Sequence, residues 1–154
     1  MSTFTSLTYH IVFGTKYRRS RISEPFRDEL YAYIGGIIRG EKGSLIEIGG
    51  MPDHIHILAG FSPAVSVSDM LRRIKGNSSK WANEQHNFVD RFEWQTGYGA
   101  FTVSHSQAPS VSEYIRNQEE HHRRRSFKDE FRSLLIRHGI QFEERYLFED
   151  EHVG

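Results

Sequence analysis

We predict the fold of this chain from one stretch, Met51-Pro52-Asp53-His54-Ile55-His56-Ile57-Leu58-Ala59-Gly60-Phe61. Glycines and a proline end the preceding segment, and the run that follows is apolar and β-branched, which indicates a strand of a buried sheet. Because strand side chains alternate between faces, His54 and His56 project from one face, and Ile55 and Ile57 from the other. The two imidazoles can then share one metal ion. The alternative at this point is a pair of solvated histidines on an edge strand.

The composition fits one folded domain over residues 1–154. Hydrophobic residues make up 37% of the chain and aromatic residues 13%, which excludes a disordered protein. Cysteine is absent, so disulfides and thiolate metal sites are excluded, and a reducing cytosol is indicated. No apolar run approaches the ~18 residues of a membrane span, and the start lacks a signal pattern. We therefore expect a soluble cytoplasmic protein without a membrane partner.

The charges balance overall but are distributed unevenly along the chain. Residues 1–80 hold 11 Lys and Arg against 7 Asp and Glu, whereas residues 140–154 hold 1 against 5 and form an acidic tail. A polyanion would therefore have to bind to local basic patches, because the protein as a whole has no strongly basic field.

Hydrophobic periodicity predicts an α+β fold with the order strand, helix, strand, strand, helix, strand, helix. This is the split βαβ arrangement of ferredoxin-like domains, so we predict a ferredoxin-like βαββαβ core with additional C-terminal helices. The predicted strands cover residues 7–15, 44–48, 51–61 and 98–105. Four helices are predicted. The first covers residues 24–40 and the last covers residues 127–138. Of the two between them, one begins after a Ser66 cap and the other begins at Pro109 and Ser110. In the tail, Tyr146, Leu147 and Phe148 are expected to dock on this body.

Two basic patches are candidates for binding phosphates. The first follows the first strand and surrounds an aromatic ring with cations: Lys16, Tyr17, Arg18 and Arg19. The second is the polar face of the second helix: Arg72, Arg73, Lys75 and Lys80. Cations around an aromatic ring suit the phosphates and stacked bases of a nucleic acid. A solvated loop and a solvated helix face are the alternatives.

The third predicted helix carries Tyr114 and Gln118, which are four residues apart and hence on one face. A tyrosine hydroxyl can act as a nucleophile. An amide oxygen is a hard donor that can complete a site for Mg²⁺ or Mn²⁺ together with two imidazoles. A tyrosine and a glutamine on a helix are ordinary by themselves. They indicate an active site only in combination with the strand that carries His54 and His56.

Histidines one turn further along permit a different metal site. Glu119-x-x-His122 has the carboxylate and histidine spacing of di-iron helix bundles. Such a site needs a second helix with the same pattern, and the only other copy lies in the acidic tail, where helical periodicity is absent. We therefore interpret His121 and His122, with Arg123–Arg125, as a helix C-terminus that favours cations or as a further phosphate contact.

Together these motifs resemble the single-tyrosine HUH transposases of the insertion sequence 200/605 type, a family that includes the REP-associated tyrosine transposases. The resemblance spans roughly residues 5–148. It rests on three segments in the family's order: Lys16-Tyr17-Arg18-Arg19, Pro52-Asp53-His54-Ile55-His56-Ile57 and Tyr114-Ile115-Arg116-Asn117-Gln118. A histidine pair on a strand with a later helix that bears Tyr and Gln is far more specific than either half.

The resemblance implies the HUH endonuclease fold, with His54, His56 and Gln118 as ligands of Mg²⁺ or Mn²⁺ and Tyr114 as the nucleophile. It also implies single-stranded DNA hairpins as substrates and a homodimer whose active sites can be completed by the partner's tyrosine helix. Cleavage would leave a 5′-phosphotyrosine, which a second 3′-hydroxyl resolves to join a different strand.

Three other functions remain open at this level. A ferredoxin-like sheet can bind single-stranded nucleic acid without catalysis. A metal-dependent hydrolase would use the histidines to activate water and would form no protein adduct. A host-adopted relative of the transposases would act on genomic palindromic repeats rather than on a mobile element.

Overall fold

The structure, a computed structural model, describes residues 2–148 of the chain. Its strands are β1 (Thr8–Gly14), β2 (Ser44–Met51), β3 (His54–Gly60) and β4 (Gly99–Thr102). Its helices are α1 (Glu24–Gly40), α2 (Val67–Gln85), α3 (Ala108–Arg116), α4 (Gln118–His122) and α5 (Phe127–Arg137). The strands form one antiparallel sheet in the order β2-β3-β1-β4. The predicted βαββαβ core with additional C-terminal helices is therefore confirmed.

Helices α1 and α2 cover one face of the sheet. Ile11 and Phe13 of β1, and Ile55 and Ile57 of β3, point to this face and are fully buried. They pack on the apolar stripes of the two helices, which include Phe26, Leu30, Ile34 and Ile38 of α1 and Met70, Leu71 and Ile74 of α2. In the described part of the chain, no helix has the length and apolar character that crossing a membrane requires.

The opposite face of the sheet, called here the α5 face, carries the C-terminal part of the chain. Val12 of β1 and Phe101 of β4 are buried on it in a second apolar cluster. Helix α5 supplies Phe127, Phe131, Leu134 and Leu135 to this cluster. The residues of α5 that pack on the sheet recur at helical spacing, so one stripe of the helix faces the strands.

The last described residues dock on α5, as the apolar composition of the tail predicts. Leu147 and Phe148 are buried in the second cluster, and the Phe148 ring lies 5.6 Å from the ring of Phe127. Tyr146 is half-buried, with 52% of its surface exposed. The remainder of the predicted acidic tail, residues 149–154, lies outside the described residues.

Strand β3 lies inside the sheet, with β2 on one side and β1 on the other. His54 and His56 are both fully buried on the α5 face. The edge-strand alternative for these histidines is therefore wrong.

Most strand boundaries differ from the prediction by one to three residues, and two of the larger differences have a clear cause. Strand β2 continues through Gly49 and Gly50 to Met51, because these residues pair with β3 opposite His56, Ile55 and His54. Backbone pairing here outweighs the low strand preference of glycine. At the other edge of the sheet, β4 ends at Thr102, because hydrogen-bonded turns then lead into α3.

Candidate active site

The carboxylate of Glu130, on α5, lies at the centre of a buried polar cluster on the α5 face. Its Oε1 atom lies 3.0 Å from Nε2 of His56 and 3.3 Å from Nε2 of His54, the two histidines of β3. Nε2 of His122, at the end of α4, lies 3.0 Å from the same oxygen. Three imidazoles therefore surround one carboxylate oxygen.

The other oxygen of this carboxylate, Oε2, accepts hydrogen bonds from the chain segment that precedes it. The Tyr114 hydroxyl donates to it, and Nε2 of Gln118 donates to it at 3.1 Å. Oε1 of Gln118 lies 3.0 Å from Nε2 of His54. The predicted metal ligands and the predicted nucleophile of one chain therefore meet at the carboxylate of Glu130. Glu130 was not among the residues predicted from the sequence.

Helix α3 can hold Tyr114 close to the sheet because a glycine lies beneath the helix. A Cβ atom on Gly49 would stand 2.7 Å from the carbonyl oxygen of Ile115 and 3.1 Å from its Cγ2. On the same two elements, the Ser112 hydroxyl donates to Oε2 of Glu47 at 2.8 Å. The missing side chain at Gly49 therefore sets the distance between α3 and β2.

The predicted single helix with Tyr114 and Gln118 is interrupted between them. Asn117 departs from helical geometry with φ −97° and ψ 28°, so α3 ends before it and α4 begins after it. The backbone N–H of Asn117 still donates to the Glu113 carbonyl at 3.1 Å, and that of His121 to the Asn117 carbonyl at 3.2 Å. The chain bends without unwinding, and both side chains reach Glu130.

A second layer of polar groups contacts the β3 histidines through their Nδ1 atoms. Nδ1 of His54 lies 2.7 Å from Oδ1 of Asp53. Nδ1 of His56 lies 2.8 Å from Nε2 of His10, on the neighbouring strand β1. Both contacts leave Nε2 directed at the centre of the cluster, which is how outer partners orient the histidines of metal sites.

The centre of the cluster contains an ion pair. Burial alone would raise the pKa of the Glu130 carboxyl, but hydrogen bonds from the three imidazoles outweigh burial and hold this pKa well below its usual range. Burial alone would lower the pKa of His54, but hydrogen bonds to Asp53 and Glu130 raise it to about 9. At neutral pH, Glu130 is ionised and His54 is protonated.

Three further groups of the cluster, His56, His10 and Tyr114, are neutral at pH 7. Burial lowers the pKa of His56. Burial, together with the neighbouring His56, lowers the pKa of His10 to about 3. Burial, reinforced by the negative charge of Glu130, raises the pKa of Tyr114, so the phenol keeps its proton.

Part of this cluster could hold a metal ion. The ligand atoms of His54, His122 and Glu130 all lie within 4.8 Å of one another. Adjacent ligands of a six-coordinate cation with bonds of about 2.1 Å stand about 3 Å apart, so the contacts of Glu130 Oε1 with the imidazole nitrogens fit such an ion. Nitrogen and oxygen donors in this arrangement indicate a divalent metal ion.

A cleft of about 560 Å³ opens beside the Tyr114 ring. His10 and Val111 contribute to its walls, and Arg137 and His138, at the end of α5, bring basic groups to it. A volume of this size is typical of small-ligand sites and can accommodate one nucleotide next to the phenol.

The first predicted basic patch, residues 16–19, lies at the end of β1 that leads to the cluster. The N–H of Thr15 donates to the Asp53 carbonyl at 2.9 Å, which places this turn beside the histidine strand. Tyr17 and Arg18 both have a positive φ, at 58° and 55°, which is uncommon for residues other than glycine. The cations Lys16 and Arg19 lie over the Tyr17 ring, which is 41% exposed, and Arg18 lies 4.5 Å from the ring of Phe148.

The structure does not bring the second predicted basic patch to the same place. Arg72, Arg73, Lys75 and Lys80 belong to α2, which covers the opposite face of the sheet. Arg72 pairs with Asp69 at 3.0 Å, and Lys75 donates to the Gly97 carbonyl at 3.0 Å. Arg73 pairs with Glu41. The sheet therefore separates these cations from the Glu130 cluster.

Four polar residues of the cluster were not among the site residues predicted from the sequence: Glu130, His122, His10 and Asp53. The sequence did contain a signal for Glu130, because this residue lies on the same helical stripe as Phe127, Phe131 and Leu134. A charged residue on a buried apolar stripe needs a partner of opposite charge or a metal ion. His122 was interpreted as part of a cationic helix end, but it contacts Glu130 inside the cluster. That interpretation is corrected for His122.

Comparison with known proteins identifies transposases as relatives. A family model described as "Transposase IS200 like" matches residues 3–118, which include β3, Tyr114 and Gln118. The chain is 34% identical over 121 residues to the transposase for insertion sequence element IS200 of Salmonella typhimurium strain LT2. That alignment covers 73% of this chain and 76% of the relative.

Two solved structures share the fold. A candidate transposase from Deinococcus radiodurans R1 is similar with a TM-score of 0.59 and 25% identity, over 77% of this chain and 95% of that one. A REP-associated tyrosine transposase bound to a REP hairpin is similar with a TM-score of 0.61 and 16% identity. The second match covers 79% of this chain and 74% of that one, and it concerns the fold alone.

Proposed function

The chain belongs to the family of IS200-like transposases, which are enzymes that cleave and join DNA, and we propose that it cleaves single-stranded DNA with Tyr114 as the nucleophile. The first step forms a 5′-phosphotyrosine. A second step transfers the phosphoryl group to another 3′-hydroxyl and thereby joins a new pair of strands.

The observation that supports this proposal is the meeting of Tyr114 with the β3 histidines at one buried carboxylate. The phenol donates to Oε2 of Glu130, while the Nε2 atoms of His54 and His56 lie at Oε1. A nucleophile next to a cluster of metal-type donors is the arrangement that phosphoryl transfer to tyrosine requires.

The reaction exchanges one ester bond for another. The phenol oxygen of Tyr114 bonds to the phosphorus, the bond from phosphorus to the 3′-oxygen breaks, and the 3′-oxygen gains a proton while the phenol loses one. Because the phosphotyrosine retains the ester, the reverse step with a different 3′-hydroxyl needs no ATP. The same residue therefore serves both cleavage and joining.

We propose that His54, His56 and Gln118 bind Mg²⁺ or Mn²⁺. When bound, the cation stabilises the negative charge that develops on the scissile phosphate. The chain itself contributes orientation, because Asp53 and His10 hold the two imidazoles through Nδ1 and leave Nε2 for the centre of the cluster.

The proposed substrate is single-stranded DNA that carries a hairpin. A protein of the same fold was solved with a REP hairpin bound, which supports this choice. The turn at residues 16–19 lies next to Asp53 and can contact phosphates near the scissile bond, and the cleft beside Tyr114 can accept a flanking nucleotide. The cations of α2 lie across the sheet and would contact only DNA remote from that bond.

One chain supplies every group of the proposed site. Each subunit of the homodimer that the family resemblance implies would then carry a complete site, without a tyrosine helix from its partner. We place this activity in the cytoplasm, in keeping with a cysteine-free chain.

Covalent trapping tests the proposed function. The protein is incubated with Mn²⁺ and single-stranded oligonucleotides that carry candidate hairpins, and the products are separated under denaturing conditions. We expect a slowly migrating protein–DNA species that forms only with a divalent metal. Cleaved DNA without such a species would identify a hydrolase, and bound but intact DNA would identify a binding module. Either result would refute the proposal.

A further inference from the structure

We infer that Glu130 and His122 are further ligands of the metal and that Glu130 ties the metal to the nucleophile. The inference rests on the proposed function and deepens its site. Glu130 binds the cation through Oε1, and through Oε2 it retains the hydroxyl of Tyr114. Both ligands lie beyond residues 3–118, the part of the chain that matches the family model.

Oε1 of Glu130 is the one atom on which the imidazole nitrogens of His54, His56 and His122 converge, at distances of 3.0–3.3 Å. The ring of His122 lies 4.6 Å from the ring of His54, so the α4 histidine is a near neighbour of the β3 pair. A site built from β3 alone would leave both of these side chains beside the cation without a role.

The ligands predicted from the sequence, two imidazoles and the amide of Gln118, carry no negative charge to balance a divalent cation. Magnesium sites in proteins usually include one or two carboxylates. Glu130 is 2% exposed, and in the described chain its ion pairs are with histidines alone. This buried carboxylate, already surrounded by imidazoles, supplies the negative charge that a divalent cation at the same place requires.

The helix that carries Glu130 is held in place by apolar packing. Phe127 and Phe131 flank Glu130 on the buried stripe of α5 and are 2% and 5% exposed. The helix start is fixed by Ser126, whose hydroxyl accepts a hydrogen bond from the N–H of Asp129 at 3.2 Å. Moving the carboxylate out of the cluster by shifting α5 would expose these phenylalanines. Apolar packing therefore holds Glu130 in place before any metal binds.

A different role for Glu130 makes the opposite prediction. If the carboxylate only neutralises the imidazoles and leaves when the cation arrives, it competes with the metal. Removing its charge would then leave the metal affinity unchanged or increase it. If Glu130 is a ligand, removing its charge must weaken binding.

The test is the binding of Mn²⁺ alone, measured by titration calorimetry without DNA. We expect Glu130→Gln and His122→Ala each to weaken Mn²⁺ binding at least tenfold relative to the unmodified chain. Glu120→Gln is the matched control, because Glu120 is a neighbouring carboxylate of α4 that is 63% exposed and paired with Arg123. Its Mn²⁺ affinity should stay within twofold.

The inference is overturned if Glu130→Gln or His122→Ala binds Mn²⁺ within twofold of the unmodified chain, or more tightly. If Glu130→Gln does not melt cooperatively, Glu130→Asp takes its place. This variant keeps the negative charge but withdraws the carboxylate from the cluster by one methylene, and Mn²⁺ binding within twofold of the unmodified chain would again overturn the inference. An unmodified chain that does not bind Mn²⁺ would refute the proposed metal and this inference together. Covalent DNA capture combined with unchanged Mn²⁺ affinities in the variants would refute this inference alone.

Discussion

Nε2 of His10 lies 2.8 Å from Nδ1 of His56, and the two rings stack with their centroids 5.1 Å apart. The contact crosses from β1 to β3, and both side chains are buried. Between two neutral imidazoles one nitrogen donates and the other accepts, so His10 influences which nitrogen of His56 is free for a metal. His10 therefore contacts Nδ1 of His56 in the same way that Asp53 contacts Nδ1 of His54.

Replacing His10 should weaken metal binding without unfolding the protein. His10→Phe keeps an aromatic ring of similar shape but removes the nitrogen, so Mn²⁺ affinity should fall about 10- to 100-fold, as for other outer partners of metal-bound histidines. His10→Gln, which can still form a hydrogen bond to Nδ1, should lose less. Calorimetric titration with Mn²⁺ measures both variants. Wild-type affinity in His10→Phe would mean that the contact is only packing.

The metal-free protein should be most stable near pH 6.5. The folded-state pKa of His54, about 9, exceeds its ordinary value of 6.5, so its stabilising contribution is complete below pH 6.5 and is lost as the pH rises to 9. The loss amounts to roughly 3 kcal/mol at most. His10, whose folded-state pKa is about 3, acts in the opposite direction, because below pH 6.5 the unfolded chain binds a proton that the folded chain excludes.

Urea unfolding in the presence of a chelator, from pH 5 to pH 9, measures this dependence. Asp53→Asn removes the charge that faces Nδ1 of His54, so it should reduce the loss of stability between pH 7 and 9. An unfolding free energy that is constant or increases from pH 7 to pH 9 would contradict the assignment of the ion pair.

A methyl group at Gly49 should displace the tyrosine helix. Its Cβ would stand 2.7 Å from the carbonyl oxygen of Ile115, so α3 has to move, and Gly49→Ala should cost about 1–3 kcal/mol of stability. The yield of covalent DNA adduct should fall as well, because Tyr114 moves with the helix. Gly36→Ala is the control, since a Cβ at Gly36 meets nothing within 4 Å and alanine favours the helix by about 0.5–1 kcal/mol. Equal stability and adduct yield for the two variants would contradict this account of Gly49.

Local patterns were sufficient to predict about half of this site. A period of two placed His54 and His56 on one face of β3, and a spacing of four placed Tyr114 and Gln118 on one side of their helix. Both patterns depend on neighbours in the sequence, and both persist in the structure even though Asn117 bends the helix between the latter pair.

The remaining contacts depend on how distant elements dock. Glu130 lies 74 residues from His56, and the hydrogen bond between them exists only because α5 packs on the α5 face of the sheet. Periodicity identifies the buried stripe of a helix but does not say which strand the stripe meets. The same limit applies to the cations of α2, because their charge pattern predicts an exposed helix face without indicating on which side of the sheet that face lies.

Mixing two inactive variants should not restore activity. Tyr114→Phe lacks the nucleophile and His56→Ala lacks a proposed metal ligand. In the structure, the hydroxyl of Tyr114 and Nε2 of His56 contact the two oxygens of Glu130 within a single chain. After subunit exchange, proven with differently labelled chains, strand cleavage by the mixture should stay at background. Substantial recovery would show that the partner subunit supplies the tyrosine.

Peptide mapping of the covalent species tests most directly whether Tyr114 becomes bonded to DNA. The protein is incubated with hairpin DNA and Mn²⁺, the adduct is digested with nuclease and protease, and the peptide that carries the remaining nucleotide is identified by mass spectrometry. We predict that the nucleotide is on Tyr114, that Tyr114→Phe forms no adduct while still binding the DNA, and that Tyr98→Phe, a change at a tyrosine that is 37% exposed, forms the normal amount. A nucleotide on any other residue, or undiminished adduct with Tyr114→Phe, would contradict this prediction.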